Sequence, residues 1–378
     1  MHYLHLVGRV DIDCKSMDLE KRPNKLVGSL GNRIYMDLKD IIREQALPFL
    51  PAKSLFRLQG VCRDWKLQIL APFFAHKQSI YFREISGLFY QFTNEMPSFI
   101  SIDPHCYGVA DPTLKFLPEP VDIRASSNGL ICCQGRTEDK AYYICNPVTK
   151  QWKKLPKANA VHGSDPAVVL VFEPSLLNFV AEYKLVCAFP SVDFDNATEF
   201  EIYSSAEGSW KISGEICFAS RKLIPRSGVY VDGVVYWQAV HHGIVSFDLT
   251  KDRSQFIQTY HGSNSALGTY DGKLCWAYLN GPTVVLNVLS NVYSNTMDMH
   301  SRAKLWEMKT HFVLDGPTQV GFGQEQGVVL FVNCSLVVVQ FGSRILCYDM
   351  KTKETKVLSR EAEYTIKCVS YVNSLVYI

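Results

Sequence analysis

The sequence predicts a mainly β protein in which a small three-helix unit precedes a large β-propeller-like domain. Three observations carry that expectation. A helical period, interrupted by prolines, runs from Leu38 to about Phe74. Beyond Gln78 the pattern changes to apolar or alternating runs of four to eight residues, separated by Gly, Pro, Asn and Asp. A weak repeat, in which an apolar strand ends in a polar turn and then resumes, recurs through that second region.

In the helical segment Leu38, Ile41, Ile42, Gln45, Ala46 and Leu47 lead to a break at Leu50-Pro51. A second short helix follows, with Pro51 in its first turn, where a missing N–H costs nothing, and Leu55, Phe56 and Leu58 on its apolar side. In the third, Val61, Cys62, Trp65 and Ile69 recur at helical spacing until Pro72 stops it. The expected organisation is a mobile tail over 1–35, a helical unit over 36–79 and the β domain over 80–378.

Expected strands in the β domain include Gly129 to Cys133, Ala141 to Cys145, Val168 to Phe172, Tyr183 to Ala188, Ile244 to Leu249, Lys273 to Tyr278 and Arg344 to Met350. The stretch Gly327 to Phe341 is interrupted at Asn333-Cys334-Ser335, too short to span a membrane, and reads as two strands and a turn. Asp232-Gly233 and Asp271-Gly272 suit type I′ hairpin turns, and the tryptophans suit blade cores. The repeat has copies at Tyr143 to Trp152, Ile244 to Lys251 and Ile345 to Lys353, with a looser one at Phe200 to Trp210. Spacings of roughly 45 to 60 residues match propeller blades better than a two-sheet sandwich.

Charge gives no sign of a polyanionic or membrane partner. Among 378 residues, 39 Lys and Arg face 37 Asp and Glu, and residues 1–35 hold the whole excess of +2. Neither a nucleic acid nor a membrane is expected as partner. The twelve cysteines include no C-x-x-C pair and lie mostly in apolar stretches, which fits reduced core thiols in a cytosolic or nuclear protein. No secretory leader is recognisable at the N-terminus.

Catalytic constellations are weak. Asp193-Phe194-Asp195 and Asp11-Ile12-Asp13 are carboxylate pairs without a second signal and read as solvated loops. His241-His242 has no ligand partner at helical spacing. Gly321 to Gly327 has one residue too many for a dinucleotide loop and precedes a strand. No catalytic residue, metal site or cofactor is expected, and an enzyme built on the propeller is the weaker reading.

The segment Leu50-Pro51-Ala52-Lys53-Ser54-Leu55-Phe56-Arg57-Leu58-Gln59-Gly60-Val61-Cys62-Arg63-Asp64-Trp65 closely resembles the core of the F-box, and Pro72-Phe73-Phe74 resembles its closing Pro-x-Phe. Downstream, Ser126 to Cys132, Asn146 to Pro156 and Gly228 to Trp237 resemble the Asn-Gly-Leu strand, the Asn-Pro-x-Thr turn and the Asp-Gly hairpin of the plant F-box-associated, kelch-like propeller family. Ser374-Leu375-Val376 resembles that family's closing strand. There are departures: the family opens with Leu-Pro where this chain has Leu38-Lys39, and Gln45 replaces a common apolar residue, which weakens the expected adaptor affinity.

The resemblance implies a non-catalytic substrate-recognition subunit of an SCF-type (Skp-cullin-F-box) ubiquitin ligase, cytoplasmic or nuclear. Leu47, Leu50, Pro51, Leu55, Val61, Cys62 and Trp65 would bind a Skp-family adaptor, and through it cullin and RING subunits. The propeller would present an unknown target protein for ubiquitin-dependent degradation, through residues the sequence does not identify. So small a helical unit cannot enclose all these apolar groups alone. A competing reading makes the helices a cap on the β domain, and another a scaffold that degrades nothing.

Overall fold

The computed structural model describes residues 37–103, 108–177, 180–218, 222–240, 243–259, 264–290, 306–314, 327–359 and 367–378. The expected tail, Asp11 and Asp13, His241-His242 and most of the Gly321 to Gly327 loop lie outside them.

Among the described residues four α-helices come first: α1 (Leu38–Gln45), α2 (Ala52–Leu58), α3 (Arg63–Ile69) and α4 (Pro72–Tyr81), with a 3-10 turn at Leu47–Phe49. Sequence periodicity predicts three; the fourth was hidden because Pro72 reads as a stop. It is also a start, since proline at the first helical position forfeits no hydrogen bond. Pro51 sits at the N-cap of α2, where its carbonyl accepts the amides of Ser54 and Leu55.

Six antiparallel sheets follow, each a blade. The first starts with β1 (Gly87–Tyr90) and β2 (Ser98–Ser101) and is left incomplete. Blade 2 is β3 to β6 (Val121–Ser127, Leu130–Gly135, Tyr142–Asn146, Gln151–Lys154). Blade 3 is β7 to β10 (Ala167–Phe172, Tyr183–Pro190, Thr198–Ser204, Ser209–Cys217). Blade 4 is β11 to β14 (Val229–Val231, Val234–Ala239, Gly243–Asp248, Arg253–Gln258). Blade 5 is β15 to β18 (Ser265–Tyr270, Lys273–Asn280, Thr283–Leu289, Trp306–Val313). Blade 6 is β19 to β22 (Val328–Val332, Leu336–Phe341, Arg344–Asp349, Thr355–Ser359). The chain end then returns as β23 (Cys368–Tyr371), which pairs with β1 and completes blade 1.

The inner strands β23, β3, β7, β11, β15 and β19 touch in succession and close a ring, so blade 4 stands opposite blade 1. Alternate side chains of one strand serve opposite neighbours, as the period of two requires. Val168, Leu170 and Phe172 of β7 pack toward blade 2, whereas Ala167 and Val169 pack toward blade 4. Burial on both faces is why such strands read as continuous apolar runs.

Turn chemistry explains the repeat. Asn146, Asp248 and Asp349 each end a third strand, and their Oδ1 atoms accept the amides of Val148 (2.9 Å), Thr250 (2.9 Å) and Lys351 (2.8 Å). The turn closes at a left-handed residue, Lys150, Asp252 or Lys353, and then enters the fourth strand. Asp232-Gly233 and Asp271-Gly272 have positive φ at both positions (45° and 83°, 49° and 73°), as type I′ turns need. Trp210, Trp237 and Trp276 are buried in interblade cores, but Trp152, on an outermost strand, is half-exposed and departs from the expected core role.

The cysteines among the described residues are all free thiols, mostly buried. No helix among them is long and apolar enough to cross a membrane. One expectation is corrected: the closing strand is β23, and Ser374-Leu375-Val376 lies beyond it, off the sheet but buried.

Candidate partner-docking surface

Residues 372–378 join the two parts of the molecule. Asn146 donates through Nδ2 to the carbonyls of Ser374 (3.0 Å) and Val376 (2.8 Å), which lays this segment on blade 2. Gly129 makes room for it: a Cβ there would lie 2.2 Å from Cβ of Ser374, and φ is +93°. On the other side Leu375 enters the helical core, among Leu47, Ala52, Leu55, Ile69, Phe74 and Ala75. Gln78 of α4 donates to the carbonyls of Leu50 and Asn373, both at 3.3 Å, and Tyr377 donates from its hydroxyl to the Leu70 carbonyl at 3.3 Å. Ser79 of α4 reaches the Asn128 carbonyl in the β3–β4 turn. The helices therefore do pack on the β domain, on the ring face that carries the turns from first to second and from third to fourth strands.

The residues singled out by sequence divide between two environments. Leu47 and Leu55 are fully buried. Leu50 and Trp65 are half-buried against the same core, so truncating them perturbs folding as well as any surface. Pro51 is half-buried, and Cys62 caps α3 by accepting the Trp65 amide on its sulfur at 3.5 Å. Val61 is open to solvent, 52 % exposed.

Sequence reasoning missed most of the exposed apolar surface. Leu38, Ile41, Phe49, Phe56, Leu67, Leu70, Phe73 and Tyr81 are all solvent-exposed, Leu38 and Leu67 by 65 % and 60 %. Phe49 and Tyr81 form a surface ring pair at 4.8 Å. α1 has no fully buried residue; it is held by Ile42, by the Lys77–Glu44 ion pair and by the Gln68 amide on the Arg43 carbonyl. A helix of eight residues is marginal alone, so its apolar side calls for further cover. The helical period showed which residues are apolar, but four short helices leave too little interior for all of them.

Asp193 and Asp195 lie on an exposed loop between β8 and β9, and no cluster of metal-ligating side chains occurs among the described residues.

A protein-family model for the F-box associated β-propeller domain matches residues 92–373, most of the chain. The chain belongs to the F-box associated β-propeller family. Its relatives include F-box protein At5g49610 of Arabidopsis thaliana, 38% identical over 121 residues, which are 30% of this chain and 31% of that protein. F-box protein At5g07610 of Arabidopsis thaliana is 29% identical over 258 residues, 62% of this chain and 60% of its own. Putative F-box protein At4g09190 of the same plant is 25% identical over 340 residues, 82% of this chain and 83% of its own. The match thus spans about a third and three fifths of the first two relatives' lengths. In this F-box associated propeller the helices lie ahead of the matched region and the C-terminal segment ties them to it.

Proposed function

We propose that this protein is the substrate-recognition subunit of a Skp-cullin-F-box ubiquitin ligase, working in the cytoplasm or nucleus. The observation that carries the reading is the run of exposed apolar side chains on α1 to α4, far more than a finished surface of this size needs. A Skp-family adaptor covers them in this reading, and cullin and RING subunits follow through the adaptor. Val61 and the accessible parts of Leu50, Pro51, Cys62 and Trp65 make direct contact; Leu47 and Leu55, being buried, hold those helices in shape.

The mechanism is proximity. The adaptor fixes the helices and the packed C-terminal segment fixes the propeller relative to them, so a target on the ring is held near a ubiquitin thioester at high effective concentration. This chain makes and breaks no bond. The experiment is co-expression with a plant Skp-type adaptor followed by size-exclusion chromatography. Wild type should co-elute with it, and Val61→Asp with Leu67→Asp should not, while melting as wild type does. Co-elution of the variant, or no complex with wild type, would reject the reading. Accumulation of a captured target on depletion of the protein separates a ligase subunit from a scaffold.

A further inference from the structure

The ring face away from the helices carries a cation that its surroundings do not neutralise. Arg226 precedes β11, in the turn Ile224–Ser227 closed by the Ser227 amide on the Ile224 carbonyl at 3.3 Å. Its φ is +64°, at the third position of a turn with proline second, a place that favours glycine. From blade 4 its Nη1 crosses the channel to blade 1, donating to the carbonyls of Gln91 (3.4 Å) and Lys367 (3.2 Å). Both contacts are long, and the buried Nε has no hydrogen-bond partner.

Charge around this mouth is unbalanced. Arg124 pairs with Asp165 and, at 3.5 Å, with Asp122, and it also donates to Gln134 and to the Ser164 carbonyl. Arg136 takes Asp122 at 2.9 Å. Among the described residues, three guanidiniums thus share two carboxylates at this mouth, and Arg226 is the one of the three that forms no ion pair with them. Burial, and then the nearby Arg124, disfavour its charge, and Asp165 and Asp122 offset this only in part. A cation held in a strained backbone and short of an anion costs stability, and such costs gather where a ligand supplies what is missing.

We propose that the channel mouth away from the helices binds an oxyanion, a carboxylate or a phosphate, with Arg226 as its principal ligand. Arg124, already held by Asp122 and Asp165, acts as a positioning residue. The carrier is either a free anion or an acidic or phosphorylated side chain of a bound polypeptide. This assignment does not rest on the ligase reading, and its test involves no adaptor.

The test is thermal melting of the full chain at pH 7 and constant ionic strength, with chloride exchanged for inorganic phosphate. Wild type should gain several degrees in a saturable way; Arg226→Met and Arg226→Gly should gain nothing, whereas Arg253→Met, at an exposed arginine elsewhere, should respond like wild type. In chloride, Arg226→Gly should melt at or above wild type, because it relieves both the strained turn and the unpaired charge. A phosphoserine hexapeptide acting at tenfold lower concentration than inorganic phosphate would identify a polypeptide-borne anion, and equal potency a free one. Equal phosphate shifts in wild type and Arg226→Met would overturn the proposal. So would a lower melting temperature of Arg226→Gly in chloride, which would make Arg226 a strap across the ring.

Discussion

The side chain of Gln78, fully buried in α4, accepts the amide of Leu375 on its Oε1 at 3.3 Å while its Nε2 donates to the neighbouring Asn373 carbonyl at 3.3 Å. One side chain thereby satisfies both backbone groups of a segment that belongs to no sheet. The helical unit and the last residues of the chain are one packed layer, so their stabilities are coupled.

Gln78→Leu keeps the volume and removes both of these bonds together with the one to the Leu50 carbonyl. Each orphaned backbone group costs about 1–3 kcal/mol, so the variant should lose about 3 kcal/mol. Circular dichroism at helix- and strand-sensitive wavelengths should show one transition, lowered by several degrees. A helical signal that melts early while the strands stay put would show the two parts to be uncoupled.

Gly129→Ala tests the other side of the same segment. The new methyl would meet Ser374 in a backbone that already disfavours any side chain, so steric crowding of about 1–3 kcal/mol adds to the left-handed penalty. Combining it with Ser374→Gly should recover the steric part and leave the backbone part. A lack of recovery would mean that residues 372–378 do not lie where the geometry puts them.

Acid should weaken the blade 2–blade 3 connection at a defined group. Glu201, buried on β9, lies 2.7 Å from His162 Nε2 and accepts the amides of Asn159 (2.9 Å) and Ala160 (3.1 Å); Tyr142 meets the other ring nitrogen at 2.9 Å. Burial alone would raise its pKa, but the bonds from His162, Asn159 and Ala160 outweigh it and the net shift is downward. Because the folded value is depressed, the contribution is complete above the ordinary carboxylate pKa and fades as pH falls through the folded one. Glu201→Gln should therefore cost about 2 kcal/mol at pH 7, and the difference from wild type should shrink toward pH 3. A pH-independent difference would remove Glu201 from that role.

The fold was legible because its signals are local: period-two apolar runs, Asp-Gly turns with both residues left-handed, and Asn or Asp capping the third-to-fourth strand turns of blades 2, 4 and 6. What stayed hidden needs partners distant in sequence. Leu375 shares a core with Leu55, and β23 pairs with β1, at separations of most of the chain, so local pattern puts the closing strand at Ser374, six residues past its true start at Cys368. Arg226 gave no signal for a similar reason, since the turn at Ile224 to Ser227 is ordinary until the side chain is seen to cross a channel. The helical surface was half legible: periodicity marks apolar positions, but only packing shows that Leu55 is inside and Val61 outside.

Deleting either side of the joint should leave the other exposed. Without residues 37–81 the propeller keeps β23 on β1 and its interblade cores, so a fragment beginning at Phe82 should remain strand-rich and unfold cooperatively. It would, however, present Leu375 to water and leave the Leu375 amide and the Asn373 carbonyl without Gln78. Without residues 372–378 the helices lose Leu375 and the Tyr377 hydroxyl on Leu70, while the ring stays closed. The second deletion should thus cost the helical signal more than the strand signal, because four short helices cannot complete a core alone. The first should lower the ring's transition by only a few degrees. If removing 372–378 leaves α1 to α4 folded, the helices are self-sufficient and their packing on the propeller is incidental. If removing 37–81 unfolds the ring, the helices are structural for the propeller, and loss of adaptor binding in helix variants would no longer report on docking.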